Sequence, residues 1–164
     1  MYIRKLTETD SAQLDNLIQE VEANLKNEKF WLPMEETAKT HFFDEDWTYF
    51  LGAFEDEELI GAVALFFNAY EYGESREILG IEDRDLAEYG RAMVKPSYQG
   101  QGIMKKLSAQ LLDYGKSIGI KRVIATVHPD NIPSQTVVKS VGFEKKAFVT
   151  KKGDFDRDIF LNEI

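Results

Sequence analysis

Val94-Lys95-Pro96-Ser97-Tyr98-Gln99-Gly100-Gln101-Gly102-Ile103-Met104 lies between an apolar, strand-like run that ends at Val94 and an amphipathic run that begins at Ile103. Two glycines one residue apart at a strand-to-helix junction let the backbone approach a ligand with no Cβ in the way. The amides that open a helix have no partners within it and carry the positive end of its dipole, so such a junction suits an anion. Lys105 and Lys106 follow in the first turn, where the dipole disfavours positive charge. Their position makes sense where a polyanion lies across the helix start. A glycine-rich turn leading into a solvated helix is the plainer alternative.

Outward from this loop, residues 86–94 form the strand that feeds it, and the helix behind it places Ile103, Leu107, Leu111, Tyr114 and Ile118 on one face before Gly119 ends it. Residues 121–127 make the next strand. Asn131 and Pro133 open a short helix that stops at Gly142, and two final strands near 144–150 and 154–161 turn at Lys152-Gly153-Asp154. Upstream, residues 2–6 read as a short strand, and Thr9 or Asp10 can cap a helix carrying Leu14, Leu17, Ile18, Val21 and Leu25 at helical spacing. Phe30-Trp31-Leu32-Pro33-Met34 is a bulky apolar patch that serves either as a substrate lid or as a core plug, and a short polar helix follows near 35–42. Residues 47–54 and 59–67 are strands of a hairpin with the acidic turn Glu55-Asp56-Glu57-Glu58. Residues 68–84, with Tyr70, Tyr72 and Gly73 near their start, are weakly patterned: a long loop or an extra small element.

Composition bounds the class. A chain of 164 residues with 43% hydrophobic and 12% aromatic content suits one folded unit and argues against disorder. No apolar run approaches the roughly 18 residues of a membrane span, and the polar Thr7-Glu8-Thr9-Asp10 interrupts the start where a secretion signal would be apolar. Cysteine is absent, which removes disulfides, thiolate metal sites and a catalytic thiol together and points to the cytoplasm. The net charge of −9 speaks against nucleic acid as the partner. It hides an asymmetry: residues 1–90 hold 7 Lys and Arg against 22 Asp and Glu, a balance of −15, while residues 91–164 hold 13 against 7, a balance of +6. Such halves suit an enzyme that joins an anionic cofactor to a cationic substrate. No metal site is expected. His41 and His128 have no ligand-type neighbours at metal spacing, and His128 before Pro129 reads as a turn residue.

Two phosphate signatures fail on residues. The dinucleotide fingerprint needs a third glycine where Lys105 stands, and no Gly-Lys-Ser or Gly-Lys-Thr run exists for a nucleotide-triphosphatase loop. A third fits. Residues 94–104 resemble the acetyl-CoA loop of the GCN5-related N-acetyltransferase (GNAT) family: Gln or Arg, two residues, Gly, one residue, then Gly or Ala. Gln99, Gly102 and Met104 take those places, with Met104 departing from the last. Ala87-Glu88 ahead of the loop, and Asn131 and Val141-Gly142-Phe143 behind it, extend the resemblance across most of the chain. It implies an α/β (α+β) fold, a single N-acetyltransferase domain over residues 1–164, with a mixed, mostly antiparallel sheet of about six or seven strands and about four helices.

The resemblance also implies direct attack of an amine on the thioester of bound acetyl-CoA, with no covalent enzyme intermediate. The backbone amides of Gln99, Gly100, Gln101, Gly102, Ile103 and Met104 should then hold the pyrophosphate, with Lys105 or Lys106 adding charge. Backbone groups of Met93 and Val94 should pair with the pantetheine arm, the Val94 amide serving as oxyanion donor. Asn131 matches a position that binds the same arm and is otherwise a helix cap; Ser134 completes the cofactor set. Glu88 matches the base of some histone-acetylating members, or is a structural or orienting carboxylate. Many relatives protonate the departing sulfur with a tyrosine four residues before the Gly-Phe pair, where this chain has Val138. Ser134, Ser140, Tyr89, water, or no acid at all remain open there. The expected partners are acetyl-CoA and an amine of a small molecule or peptide, cationic by bulk charge, with no nucleic acid or membrane and with room for a homodimer. Met104 and Val138 leave a second function open, an acyl-CoA-binding or sensing module without transfer.

Overall fold

Apolar runs buried on both faces set the central strands, alternating exposure marks the edge strands, and helical spacing sets most of the helices between them. The computed structural model describes residues 1–164. In chain order it contains β1 (Tyr2–Lys5), α1 (Ser11–Ala23), α2 (Glu36–Thr40), β2 (Thr48–Glu55), β3 (Glu58–Phe66), α3 (Ala69–Leu79), β4 (Leu86–Val94), α4 (Ile103–Ser117), β5 (Arg122–Val127), α5 (Ile132–Ser140), β6 (Glu144–Lys151) and β7 (Phe155–Glu163). The strands form one seven-stranded sheet in the order β1-β2-β3-β4-β5-β7-β6. Only β4 and β5 run parallel, and every other neighbouring pair is antiparallel. The expected mixed, mostly antiparallel sheet is what forms. No helix is long and apolar enough to cross a membrane.

The period of two divides the core into two layers. One face of β2–β5 and β7 packs with Ile103, Leu107 and Leu111 of α4 and Val138 of α5. The other face packs with Leu14, Leu17 and Ile18 of α1 and, further along the sheet, with Tyr72 of α3. Three details depart from the sequence reading. Ile118 is 47% exposed, because α4 ends at Ser117 and the left-handed Gly119 turns the chain away before that position completes the apolar face. Leu25 lies past the last turn of α1. Residues 68–84 contain a three-turn helix, α3, and so raise the α-helix count to five.

The sheet opens beside the glycine loop. Pairing of β4 with β5 covers only Leu86–Tyr89 against Arg122–Ala125. Just beyond, Arg91 takes φ +51°, and the β3–β4 register skips a residue between Ala62 and Ala64. This bulge bends β4 and increases its twist, so its last residues stay on β3 while β5 diverges. The result is a wedge between two parallel strands, open at the end where β4 enters the glycine loop.

Candidate functional site

The loop that leaves the wedge ends in Gly102, which stands at the helix cap with φ +77° and offers no side-chain cap to α4. Gly100 also has φ +79°, and a Cβ built at either glycine would meet nothing within 4 Å. Glycine is therefore kept for backbone conformation and open approach, not for tight internal packing. The first backbone bond closing α4 is Lys106 N–H to the Gly102 carbonyl at 3.2 Å. The six amides of residues 100–105 find no acceptor within the protein. Their N–H dipoles, with Lys105 and Lys106 exposed alongside, fit a diphosphate.

The open edge of β4 supplies the second element. Lys95 N–H donates to the Ile60 carbonyl at 2.8 Å, so ladder alternation turns the Val94 N–H away from β3 and into the wedge. The Val94 carbonyl accepts from Gln99 Nε2 at 3.2 Å, which ties the loop back to the strand. Met93 departs from the expectation: its side chain is buried beneath α1, and the same alternation turns its backbone groups toward β3, so of the pair only Val94 offers its backbone to a ligand. Across the wedge, the Asn131 side chain accepts from Ser134 N–H at 3.4 Å and caps α5. Its capping role is thus realised, and its amide nitrogen remains unused by the protein. The strand edge, the free amides and these two residues fit an extended pantetheine arm ending in phosphate.

Glu88 lies on the α1–α3 face of β4, between Phe66 of β3 and Ile124 of β5. It is 7% exposed, and no side-chain hydrogen bond satisfies it. Burial pushes its carboxyl up to about 8; the Lys151 and Arg91 charges oppose that rise and Glu71 adds to it. Glu71 on α3 is itself raised, chiefly by burial. Gly90 keeps the neighbouring position clear, since a Cβ there would sit 3.1 Å from the Phe66 ring.

The candidate acids separate clearly. Tyr89 points to the opposite face, where its hydroxyl meets Ser108 Oγ at 2.8 Å and its ring packs with Phe143. Burial drives it up to about 12. It belongs to the core beneath α4, not to the wedge. Val138 is 1% exposed in that same core, and the Ser140 hydroxyl donates to the Val137 carbonyl within its own helix. The Ser134 hydroxyl makes no such bond. His128 is a buried turn residue whose Nδ1 accepts from Asp130 N–H at 3.0 Å.

Sequence reasoning missed the charges that act on Glu88, which come from Lys151 of β6, Glu71 and Arg91, and it missed Arg157, which lies in the field of Arg91. Arg91 sits on the bulge, Arg157 on β7 and Glu71 on α3. Arg91 donates to the Leu32 carbonyl at 2.7 Å and Arg157 to the Lys29 carbonyl at 2.9 Å. Those two bonds hold the apolar segment around Trp31 across the sheet, where Trp31 and Met34 rest on the α1 core. The one available signal was an arginine three residues after Glu88 in a strand with no other charge. A separate cleft lined by Phe67, Asn68, Tyr72 and Leu86 lies at the far end of β4 and includes none of these residues.

Comparison with known proteins decides the family. The model of the acetyltransferase (GNAT) family matches residues 14–143. The chain belongs to that family. The GNAT fold recurs in solved structures: a ribosomal-protein-alanine N-acetyltransferase from Brucella melitensis is similar with TM-score 0.75 and 20% identity over 100% of both chains. The yncA acetyltransferase from Salmonella typhimurium, solved with acetyl-CoA, gives TM-score 0.75 and 18% identity over 99% of this chain and 93% of its own. An uncharacterized N-acetyltransferase from Bacillus subtilis (strain 168), YnaD, is 39% identical over 57 residues, about a third (34%) of each chain. GNAT membership agrees with the sequence-based expectation of an N-acetyltransferase that uses acetyl-CoA.

Proposed function

We propose that residues 1–164 form one acetyl-CoA-dependent N-acetyltransferase domain acting on an amine. The observation that carries this reading is the run of six unpartnered amides at residues 100–105, opening beside the free edge of β4. Bound acetyl-CoA supplies the acyl group: the N–C bond forms as the C–S bond breaks, sulfur leaves with the bonding pair, and the nitrogen gives up one proton. Gln99, Gly100, Gln101, Gly102, Ile103, Met104 and Lys105 hold the diphosphate end. Val94, Asn131 and Ser134 line the arm. The Val94 N–H faces the wedge, where a fixed donor stabilises negative charge developing on the acyl oxygen. Glu88 accepts the amine proton; its raised pKa lies near the range where a base is both available and strong enough. With Tyr89 and Val138 committed to the core, the sulfur leaves as thiolate or takes its proton from water, which a thiol of pKa near 8.5 permits. The lack of cysteine supports a cytoplasmic setting.

The direct test mixes the protein with acetyl-CoA and a panel of amines while following free thiol. Turnover above hydrolysis with at least one amine is the expected result. CoA binding without any transfer would instead support the acyl-CoA-binding module that Met104 and Val138 leave open.

A further inference from the structure

The charges around Glu88 are not those of a site for a simple cation, whatever the acidic balance of residues 1–90. Arg157 projects from β7 on the same face as Glu88 and is 3% exposed. Its Nη1 donates to the carbonyls of Lys29 at 2.9 Å and Asp156 at 2.7 Å. Arg91 Nη1 donates to the Leu32 carbonyl, and its guanidinium lies 5.1 Å from the Trp31 ring centroid. Neither arginine has a carboxylate within salt-bridge distance, although thirteen ion pairs form elsewhere. The two lie within each other's field: Arg91 helps burial to pull Arg157 down to about 10. Arg91 also lies in the field of Glu88 and Glu71.

Burying cations without a counter-charge is costly. Holding the segment 29–32 explains one nitrogen of each arginine; Nε and Nη2 of both make no hydrogen bond within the protein. A guanidinium with a free edge is shaped for a carboxylate. The floor therefore carries carboxylates at Glu88 and Glu71, with the Lys151 ammonium acting on both, and unpaired guanidiniums at Arg91 and Arg157, with Arg91 in the field of both carboxylates and of Arg157. We propose that the acceptor is a small zwitterionic amine, an α-amino acid or close analogue, whose carboxylate is bound by Arg91 and Arg157 while its nitrogen faces Glu88. This rests on the N-acetyltransferase reading above and uses the same transfer: the ammonium gives one proton to Glu88, the neutral nitrogen then forms N–C as C–S breaks, and the proton left on nitrogen goes to the departing thiolate or to water.

The test compares α-amino acids with the amines left when their α-carboxylate is removed, using thiol release from acetyl-CoA. At least one amino acid should exceed its decarboxylated amine by about tenfold or more in kcat/KM, as expected where buried donors await a missing group. Arg91→Met and Arg157→Met should each reduce that preference by a larger factor than they reduce activity on the decarboxylated amine. Arg91→Lys and Arg157→Lys should restore part of it. A purely structural role would lower both activities together and leave the ratio unchanged, which overturns the proposal. Turnover of amines with parity or disfavour for the carboxylate also overturns it while the N-acetyltransferase reading stands. If no compound yields thiol, that reading falls, and calorimetry of the same amino acids on the CoA-saturated protein decides: binding that Arg91→Met abolishes supports the carboxylate site, and no binding ends it.

Discussion

Glu88 is a carboxylate in surroundings that favour its neutral form, and two measurable consequences follow. In the folded protein its pKa stands near 8 because burial penalises the charge, whereas an unfolded glutamate titrates near 4.3. Between those values the folded state holds the proton more firmly, so this group makes stability fall as pH rises through the window. Glu88→Gln keeps the shape and removes the titration. Its melting temperature, by scanning calorimetry, should match the parent at about pH 4, below the unfolded value, and exceed it by several degrees at about pH 8.5. An equal difference at both pH values would refute the buried charge. For catalysis the direction reverses, since only the ionised form accepts a proton. kcat/KM should climb through about pH 8, and Glu88→Gln should lose about a hundredfold at the plateau, keeping only the limb set by the acceptor's own ammonium. An unchanged profile would make Glu88 an orienting group. Asp10 shows the opposite sign. The Arg4 fork at 2.8 and 2.9 Å and the Thr7 amide at 2.8 Å hold its carboxyl down to about 2. That stability is present above the unfolded value near 3.9 and is lost as pH falls towards 2. Asp10→Asn should cost about 1–2 kcal/mol in urea unfolding at pH 7 and converge with the parent near pH 2.

Among the elements, α4 was the most legible and α3 the least, for the same physical reason. Ile103, Leu107 and Leu111 are each buried against the sheet, so their spacing carries the full weight of the core. Helix α3 buries only Tyr72 and Ser75, and a helix so lightly packed leaves little periodicity to read. Its right-hand boundary still had a sign in Gly80, which adopts φ +66° as a C-terminal cap. The start of α4 is where element and function meet. Gly102→Glu places a Cβ at φ +77° and a negative charge beside six free amides. The conformational cost of about 1–2 kcal/mol leaves the fold standing, so circular dichroism should be near that of the parent. CoA affinity by calorimetry should fall by about tenfold or more, through repulsion and lost approach. Undiminished affinity would remove the diphosphate from this loop.

Across the whole molecule, the separation of β4 from β5 organises the site, and it was only partly visible beforehand. The strands themselves, their order of appearance and the glycine loop follow from local pattern. The bulge does not, because Arg91 at φ +51° is a conformation that its residue type disfavours and tertiary pairing imposes. Nor could spacing bring Arg157 to Arg91, since they stand 66 positions apart with four elements between their strands. Bulk charge and site charge are separate quantities for the same reason: the acidic excess of residues 1–90 is spread over surface turns such as 55–58, while the charges around Glu88 come from a few side chains brought together by the sheet. The wedge makes one further prediction that concerns the whole sheet. Without ligand, amides 100–105 and Val94 lack acceptors in the protein and should exchange hydrogen rapidly, whereas the central strand β3, paired on both sides, should exchange slowly. Acetyl-CoA at about a hundred times its Kd should slow exchange at those exposed amides by up to about a hundredfold. β6, which lies at the edge of the sheet with β7 between it and β5, should not change. Protection centred instead on the cleft around Asn68 and Tyr72 would move the nucleotide to the other end of β4 and overturn this assignment of the sheet's open end.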